Sequence, residues 1–173
     1  AIITCTLTTR LKDHAKMSAQ AAFRTKILFD TNQLLQRAKS EEEIFSLTAS
    51  QLIKLLNRSL IVYPEQNGDL GSEQFFGVDG ETAQNIFSAP EERDAANWTF
   101  ANKKRSGAGT DSYPDAKGLY LALRTGGGVF GVVGIDLSEK PLDAFENSVL
   151  LSILGEGALA IENRRNALEK EQA

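Results

Sequence analysis

The 173 residues include one cysteine, one histidine, one tryptophan, one methionine and four prolines. With Cys5 alone, neither a disulfide framework nor a cysteine-based metal site can be assembled. A reducing, cytoplasmic setting fits that usage. The single histidine, His14, lies among Lys12, Asp13 and Lys16, so it has no second imidazole or thiol beside it and no credible Ser-His-Asp set. It reads as a solvated helix side chain. Carboxylates do cluster, at Glu41–Glu43 and Glu91–Glu92, but these are helix starts, where acids are expected. Nothing here demands an enzyme, and no cofactor is indicated. A basic excess is missing too: 19 Lys and Arg stand against 23 Asp and Glu, a net charge of −4. That balance excludes nucleic acid as the expected partner. There is no signal-peptide pattern and no run of eighteen apolar residues.

What is present is the composition of an ordinary soluble domain, 42% hydrophobic and 24% charged, at a length that fits one domain with flanking helices. The basic residues gather early: Arg10, Lys12, Lys16, Arg24 and Lys26 face a single acid, Asp13, before Asp30. Residues 1–8 open with the apolar or small run Ala1-Ile2-Ile3-Thr4-Cys5-Thr6-Leu7. It reads either as a helix start or cloning remnant, or as the cytoplasmic end of a transmembrane helix with positive residues just inside.

Residues 9–39 carry neither proline nor glycine and predict a long helix, in which Phe23, Ile27, Asp30 and Leu34 form a seam at spacings of four, three and four. Ser40-Glu41-Glu42-Glu43 is a capping box that starts a second helix. Ser59–Tyr63 predicts a strand ended by Pro64, Asn67-Gly68 a turn, and Gln74–Val78 a weaker strand. Ser88-Ala89-Pro90-Glu91 predicts a serine-capped helix running to about Lys104. Residues 106–117 read as an ordered loop, 119–124 and 129–137 as strands joined by Gly126-Gly127-Gly128, and Pro141 as the opening of a terminal helix.

This order, α-α-β-β-α-β-β-α, is that of an α+β domain around an antiparallel sheet. Leu60–Tyr63 and Leu119–Leu123 are apolar on both parities, so both sheet faces are covered. The first and last helices are expected on one face. Residues 75–115 are expected on the other, leaving a concavity for a ligand.

Gly126–Gly131 matches G-x-G-x-x-G in form, but a strand follows it instead of a helix, so it does not read as a dinucleotide site. Ser106-Gly107-Ala108-Gly109-Thr110-Asp111 is the better candidate for ligand contact. Successive small residues can turn backbone N–H groups into a cavity, and Thr110 and Asp111 add polar side chains. The alternative is a tight connection that satisfies its own turns. Trp98 and Tyr120 complete the candidate lining, Trp98 being equally readable as lid packing. Lys103-Lys104-Arg105 reads as favourable charge at a helix C-terminus, or as attraction for an anionic ligand or lipid surface. In the last helix Leu150, Leu154, Gly157, Ile161, Arg164 and Leu168 step by four and three, the pattern of a parallel helical dimer. Burial against the same domain explains Leu150 and Leu154, whereas Ile161 to Leu168 read as a linker.

The run from Ala122-Leu123-Arg124 through Gly131-Val132-Val133-Gly134-Ile135, then Pro141–Ser148, resembles the GAF domains of potassium-sensing histidine kinases. Arg37-Ala38, Glu42–Phe45 and Ala116–Leu121 add to the resemblance, which spans nearly the whole chain. The resemblance implies a GAF-like antiparallel sheet with long N- and C-terminal helices on one face and a pocket covered by loops and a short helix on the other. It divides the chain into a membrane-proximal end (1–8), a linker or dimer helix (9–39), the sensory domain (40–160) and an exit helix (161–173). It further implies a regulatory relay domain on the cytoplasmic side of the inner membrane, in a two-component kinase controlling potassium transport. Its implied partners are a second copy of the chain and the kinase core of the same chain. The alternatives are a module with its own small-molecule ligand and a purely structural dimerisation spacer. No phosphoaccepting histidine box and no ATP-binding glycine box lies in these residues, so kinase activity is not expected of them. Asn102-Lys103 begins the cyclic-nucleotide pattern of some GAF domains but nothing completes it, and Cys5 does not match the cysteine that holds bilins in others.

Overall fold

A computed structural model describes residues 2–172, with side chains described outside residues 2–9, 80 and 81. The side chains of the apolar opening, Cys5 among them, thus lie outside the described residues.

Each expected helix and strand forms, with several ends displaced from those expected, the last helix starting three residues after Pro141. Helix α1 spans Ile2–Gln36 and α2 spans Glu41–Leu56. The Ser40 side chain accepts the Glu43 N–H at 3.1 Å, and the Glu43 carboxylate reaches one residue further back than a capping box requires, to the N–H of Lys39 at 2.8 Å. Strand β1 (Leu60–Gln66) turns through Asn67 and Gly68, with φ of 54° and 90°, into the short β2 (Asp69–Leu70). The strand does not end at Pro64, contrary to expectation. It changes neighbour there: Leu60–Val62 pair with β3 (Gln74–Phe76), and Glu65 and Gln66 pair with β2. A proline's missing N–H is tolerated at such a break in the ladder.

Helix α3 (Gly80–Ile86) has no counterpart among the expected elements, and it precedes α4 (Pro90–Asn102). Ser88 does not cap α4. Its hydroxyl donates to the carbonyl of Asn85, Ala89 holds the cap position without a side-chain bond, and Pro90 opens the helix unaided. Within the expected loop, Ser106–Gly107 form a further short strand, β4. Strands β5 (Gly118–Thr125) and β6 (Gly128–Asp136) come next, and α5 begins at Ala144 and runs to Gln172. Asp143 caps it: its carboxylate accepts the Glu146 N–H at 2.8 Å, and Glu146 accepts the Asp143 N–H at 3.2 Å.

All strand pairs are antiparallel, in the order β2-β1-β6-β5-β4 with β3 beside β1. Strand alternation sends Leu60, Val62, Leu119, Leu121, Leu123, Val133 and Ile135 to one face, and Ile61, Tyr63, Tyr120 and Val132 to the other. The first face is covered by α2 and α5. Helix α1 lies on the same side as an outer layer, packing mainly across α5 and α2. It does so through Ile27, Thr31 and Leu35, while Phe23, Asp30 and Leu34 stay exposed. The Asn32 amide donates to Glu156 at 2.9 Å and the Gln51 amide to Thr31 at 2.9 Å, fixing that layer.

In α5 the burial expected of Leu150 and Leu154 extends further along the heptad positions, to Ile161. Leu150, Leu154, Gly157 and Ile161 all enter the domain's own core, Ile161 with no exposed surface. Gly157 backs onto Thr48 of α2, where a Cβ would approach the hydroxyl to 2.7 Å. Spacings of three and four are shared by a core stripe and a coiled-coil seam. By composition α5 is long and apolar enough to cross a membrane, but its buried positions are accounted for by this core.

Candidate functional site

The second face of the sheet, where a concavity is expected, is filled by the chain itself. Tyr63 and Tyr120 are both fully buried there. Gly134 makes room for the Tyr120 ring, since a Cβ on that residue would stand 2.4 Å from the ring edge. Phe87 after α3 and Ala95 and Ala96 of α4 close over them.

Among these groups lies a carboxylate, that of Glu92 on α4, with 1% of the residue exposed. Its Oε1 accepts the N–H of Lys117 at 2.6 Å and of Gly118 at 3.2 Å, and its Oε2 accepts the Tyr120 hydroxyl at 2.9 Å. Burial raises the Glu92 pKa above the ordinary 4.5, outweighing the Lys117, Tyr120 and Gly118 hydrogen bonds and the nearby Lys117 charge. Burial likewise pushes Tyr63 and Tyr120 upward, so both phenols stay neutral. Arg93 lies over the Tyr63 ring at 4.9 Å and donates to the carbonyls of Leu70 and Gly71. The Ser106 hydroxyl donates to the Ala95 carbonyl at 2.7 Å and sits 2.7 Å from the Thr99 hydroxyl. Among the described residues no buried side-chain nitrogen or oxygen lacks a partner.

A raised folded-state pKa fixes the sign of a pH effect. The folded chain holds the Glu92 proton more tightly than the unfolded chain, so this group favours folding most at acid pH. That contribution is lost as pH rises from about 4.5 through the folded-state value. The Glu92→Gln substitution keeps an acceptor for both N–H groups and removes the titration. In urea titrations the Glu92→Gln midpoint minus the wild-type midpoint should therefore grow between about pH 4.5 and neutrality. A difference independent of pH contradicts this assignment.

The candidate residues do not form one pocket. Ser106 and Tyr120 are interior, Trp98 is half-buried on α4, and Asp111 is exposed. The backbone N–H groups expected to point into a cavity turn to the chain's own carbonyls instead. Gly107 donates to Ser112 at 2.7 Å, Ala108 to Gly118 at 2.9 Å, and Thr110 to Gly107 at 3.1 Å. The Thr110 hydroxyl lies 2.8 Å from the carbonyls of both Gly107 and Ser112. Gly107 itself has no alternative: its φ is +93°, and a Cβ would fall 2.0 Å from the Gly118 carbonyl. Ala108, Gly109 and Thr110 do line a groove of about 400 Å³, but at the sheet edge against Leu137, Pro141, Leu142 and the start of α5.

Two arginines that sequence patterns do not mark anchor the exit helix. Arg58, 7% exposed, donates to the carbonyls of Asp136, Lys140 and Pro141 at 3.0, 2.6 and 3.0 Å, and pairs with Glu146 at 3.4 Å. It thereby ties the end of β6, the connection and the first turn of α5 to the start of β1. Further along α5, Arg165 pairs with Glu41 at 2.9 Å and Glu65 at 2.8 Å and lies over Phe130. One turn earlier the Thr125 hydroxyl donates to Glu162. Beyond residue 165 the described side chains of α5 are exposed.

The antiparallel sheet with α2 and α5 on one face and α3 and α4 on the other is the GAF fold. The GAF domain of the potassium sensor histidine kinase KdpD from Escherichia coli superposes with a TM-score of 0.59 at 19% identity, covering 86% of this chain and 99% of that one. The GAF domain of a putative sensor histidine kinase from Pseudomonas syringae pv. tomato gives 0.63 at 18% identity, covering 91% and 99%. No family model matches the sequence. In sequence the chain is similar to the sensor protein KdpD of Clostridium acetobutylicum, 30% identical over 173 residues, 99% of its own length. It spans 19% of that relative's length.

Proposed function

We propose that this GAF domain is a regulatory relay in a membrane-bound sensor histidine kinase governing potassium-transport genes. In this reading it works on the cytoplasmic side as a homodimer joined through α1 and α5, and passes its state along α5 into the kinase core of the same chain. One observation carries it. Among the described residues ten large hydrophobic side chains are exposed, and eight belong to the two flanking helices: Leu11, Met17, Phe23, Phe29, Leu34, Leu151, Leu159 and Leu168. A soluble domain confines exposed apolar surface in this way where it meets a partner. Ile27, Leu150, Leu154, Gly157 and Ile161 support the two helices from the core.

Sedimentation of the wild-type chain should show a dimer, and Leu151→Glu with Leu159→Glu should give a monomer with little change in melting temperature. A wild-type chain that stays monomeric at high micromolar concentration contradicts the proposal. The groove beside Ala108, Gly109 and Thr110 favours a second reading, a small-molecule module acting on the start of α5. Thr110→Ala with Asp111→Ala should then alter signalling, and unchanged signalling removes that reading.

A further inference from the structure

Helix α4 is attached to the sheet in a different way from α2 and α5. Its fully buried side chains are Glu92, Ala95, Ala96 and Thr99, and Phe100 is half-buried against the cluster of Tyr63 and Tyr120. Polar contacts also hold it: Glu92 to Lys117, Gly118 and Tyr120, Ser106 to Ala95, and Arg93 to Leu70 and Gly71. The Glu92 contact has the form of ligand recognition. Two adjacent backbone N–H groups converge on one carboxyl oxygen and a phenol hydroxyl meets the other, the Gly118 and Tyr120 contacts buried and the Lys117 contact part-buried. Below them Gly118 and Gly134 leave the space that the Tyr120 ring occupies, which places its hydroxyl at the carboxyl group.

We propose that Lys117, Gly118 and Tyr120 form a recognition site for a small monocarboxylate, which this chain keeps filled with its own Glu92. The domain is thus self-liganded, and an external ligand for this face would carry a carboxyl group and enter by displacing α4. The inference goes beyond the relay proposal and is tested without any kinase output.

Glu92→Ala removes the Cγ and the carboxyl group, the same heavy atoms that acetate supplies. Melting temperatures of wild type, Glu92→Ala and Glu92→Gln are compared in sodium acetate and in sodium chloride at matched concentration. The expected result is a saturable rise of several degrees in acetate for Glu92→Ala alone, smaller with butyrate and reduced by adding Tyr120→Phe. Wild type and Glu92→Gln, whose sites are filled, report any general salt effect. An acetate response in Glu92→Ala no larger than in these two overturns the proposal. Should Glu92→Ala fail to fold in chloride, recovery of its near-ultraviolet circular dichroism in acetate supports the site. Failure in both salts, with Glu92→Gln folded, overturns it.

Discussion

Replacing Arg58 by alanine should lower the free energy of unfolding by about 3–5 kcal/mol, the range for breaking a buried ion pair from one side. Arg58 is 7% exposed, and its guanidinium serves three carbonyls and the Glu146 carboxylate at once. Its removal leaves those acceptors without that donor in a part-buried connection, and a buried acceptor without a partner costs about 1–3 kcal/mol by itself. Glu146 also caps α5 through Asp143, so the first turn of the exit helix should loosen along with the connection. Arg58→Lys should recover only part of the loss, because an ammonium cannot reproduce a planar fork reaching Asp136, Lys140 and Pro141. Urea titration of the two variants checks both statements. A loss below about 1 kcal/mol, the scale of a surface ion pair, contradicts the assignment of Arg58 as an anchor.

Ile161→Ala should cost about 2–5 kcal/mol, as for other large-to-small changes in a packed core. The residue has no exposed surface and belongs to the cluster containing Ile44, Phe45, Leu123 and Phe130. The measurement separates two roles that its heptad position leaves open. A core role predicts a fall in unfolding free energy at every protein concentration. A seam role predicts weaker dimerisation with the domain's own stability intact, and that result contradicts the structure.

Features set by neighbours in sequence are legible without the fold. The Ser40 cap, the Asn67-Gly68 turn and the Gly126–Gly128 hairpin each depend on two to four consecutive residues. Apolar residues on both parities of two strands announce a sheet covered twice, and the order of elements supports the GAF resemblance. Short elements such as α3 and β4 carry too few residues for a periodic signal, and β4 exists only because β5 lies beside it. The seam in α5 misleads because the same spacing serves a core stripe. Arg165, four residues past Ile161, shows why the core reaches so far: its partners Glu41 and Glu65 come from α2 and β1. Small residues free the backbone of the candidate loop and so suggest ligand contact, but only tertiary structure tells which carbonyls those N–H groups meet. Glu92 and Arg58 escape a sequence reading for a related reason. Charged residues at a helix start or just before a strand read as solvated, and only the folded chain surrounds them with partners.

In the relay proposal α5 carries the state of this domain into the kinase core. Because Arg165 is the last observed clamp, an insertion beyond it alters the phase of the outgoing helix without disturbing the domain's own core. The measurement is autophosphorylation of a chimera in which this chain precedes a sensor kinase core, with none, one or seven residues inserted after Leu168. One residue rotates the outgoing helix by about 100°, whereas seven bring it back to within about 20° of its starting phase. Helix relay predicts that the single insertion shifts kinase activity and the seven-residue insertion restores it. Equal activity in all three chimeras contradicts the relay.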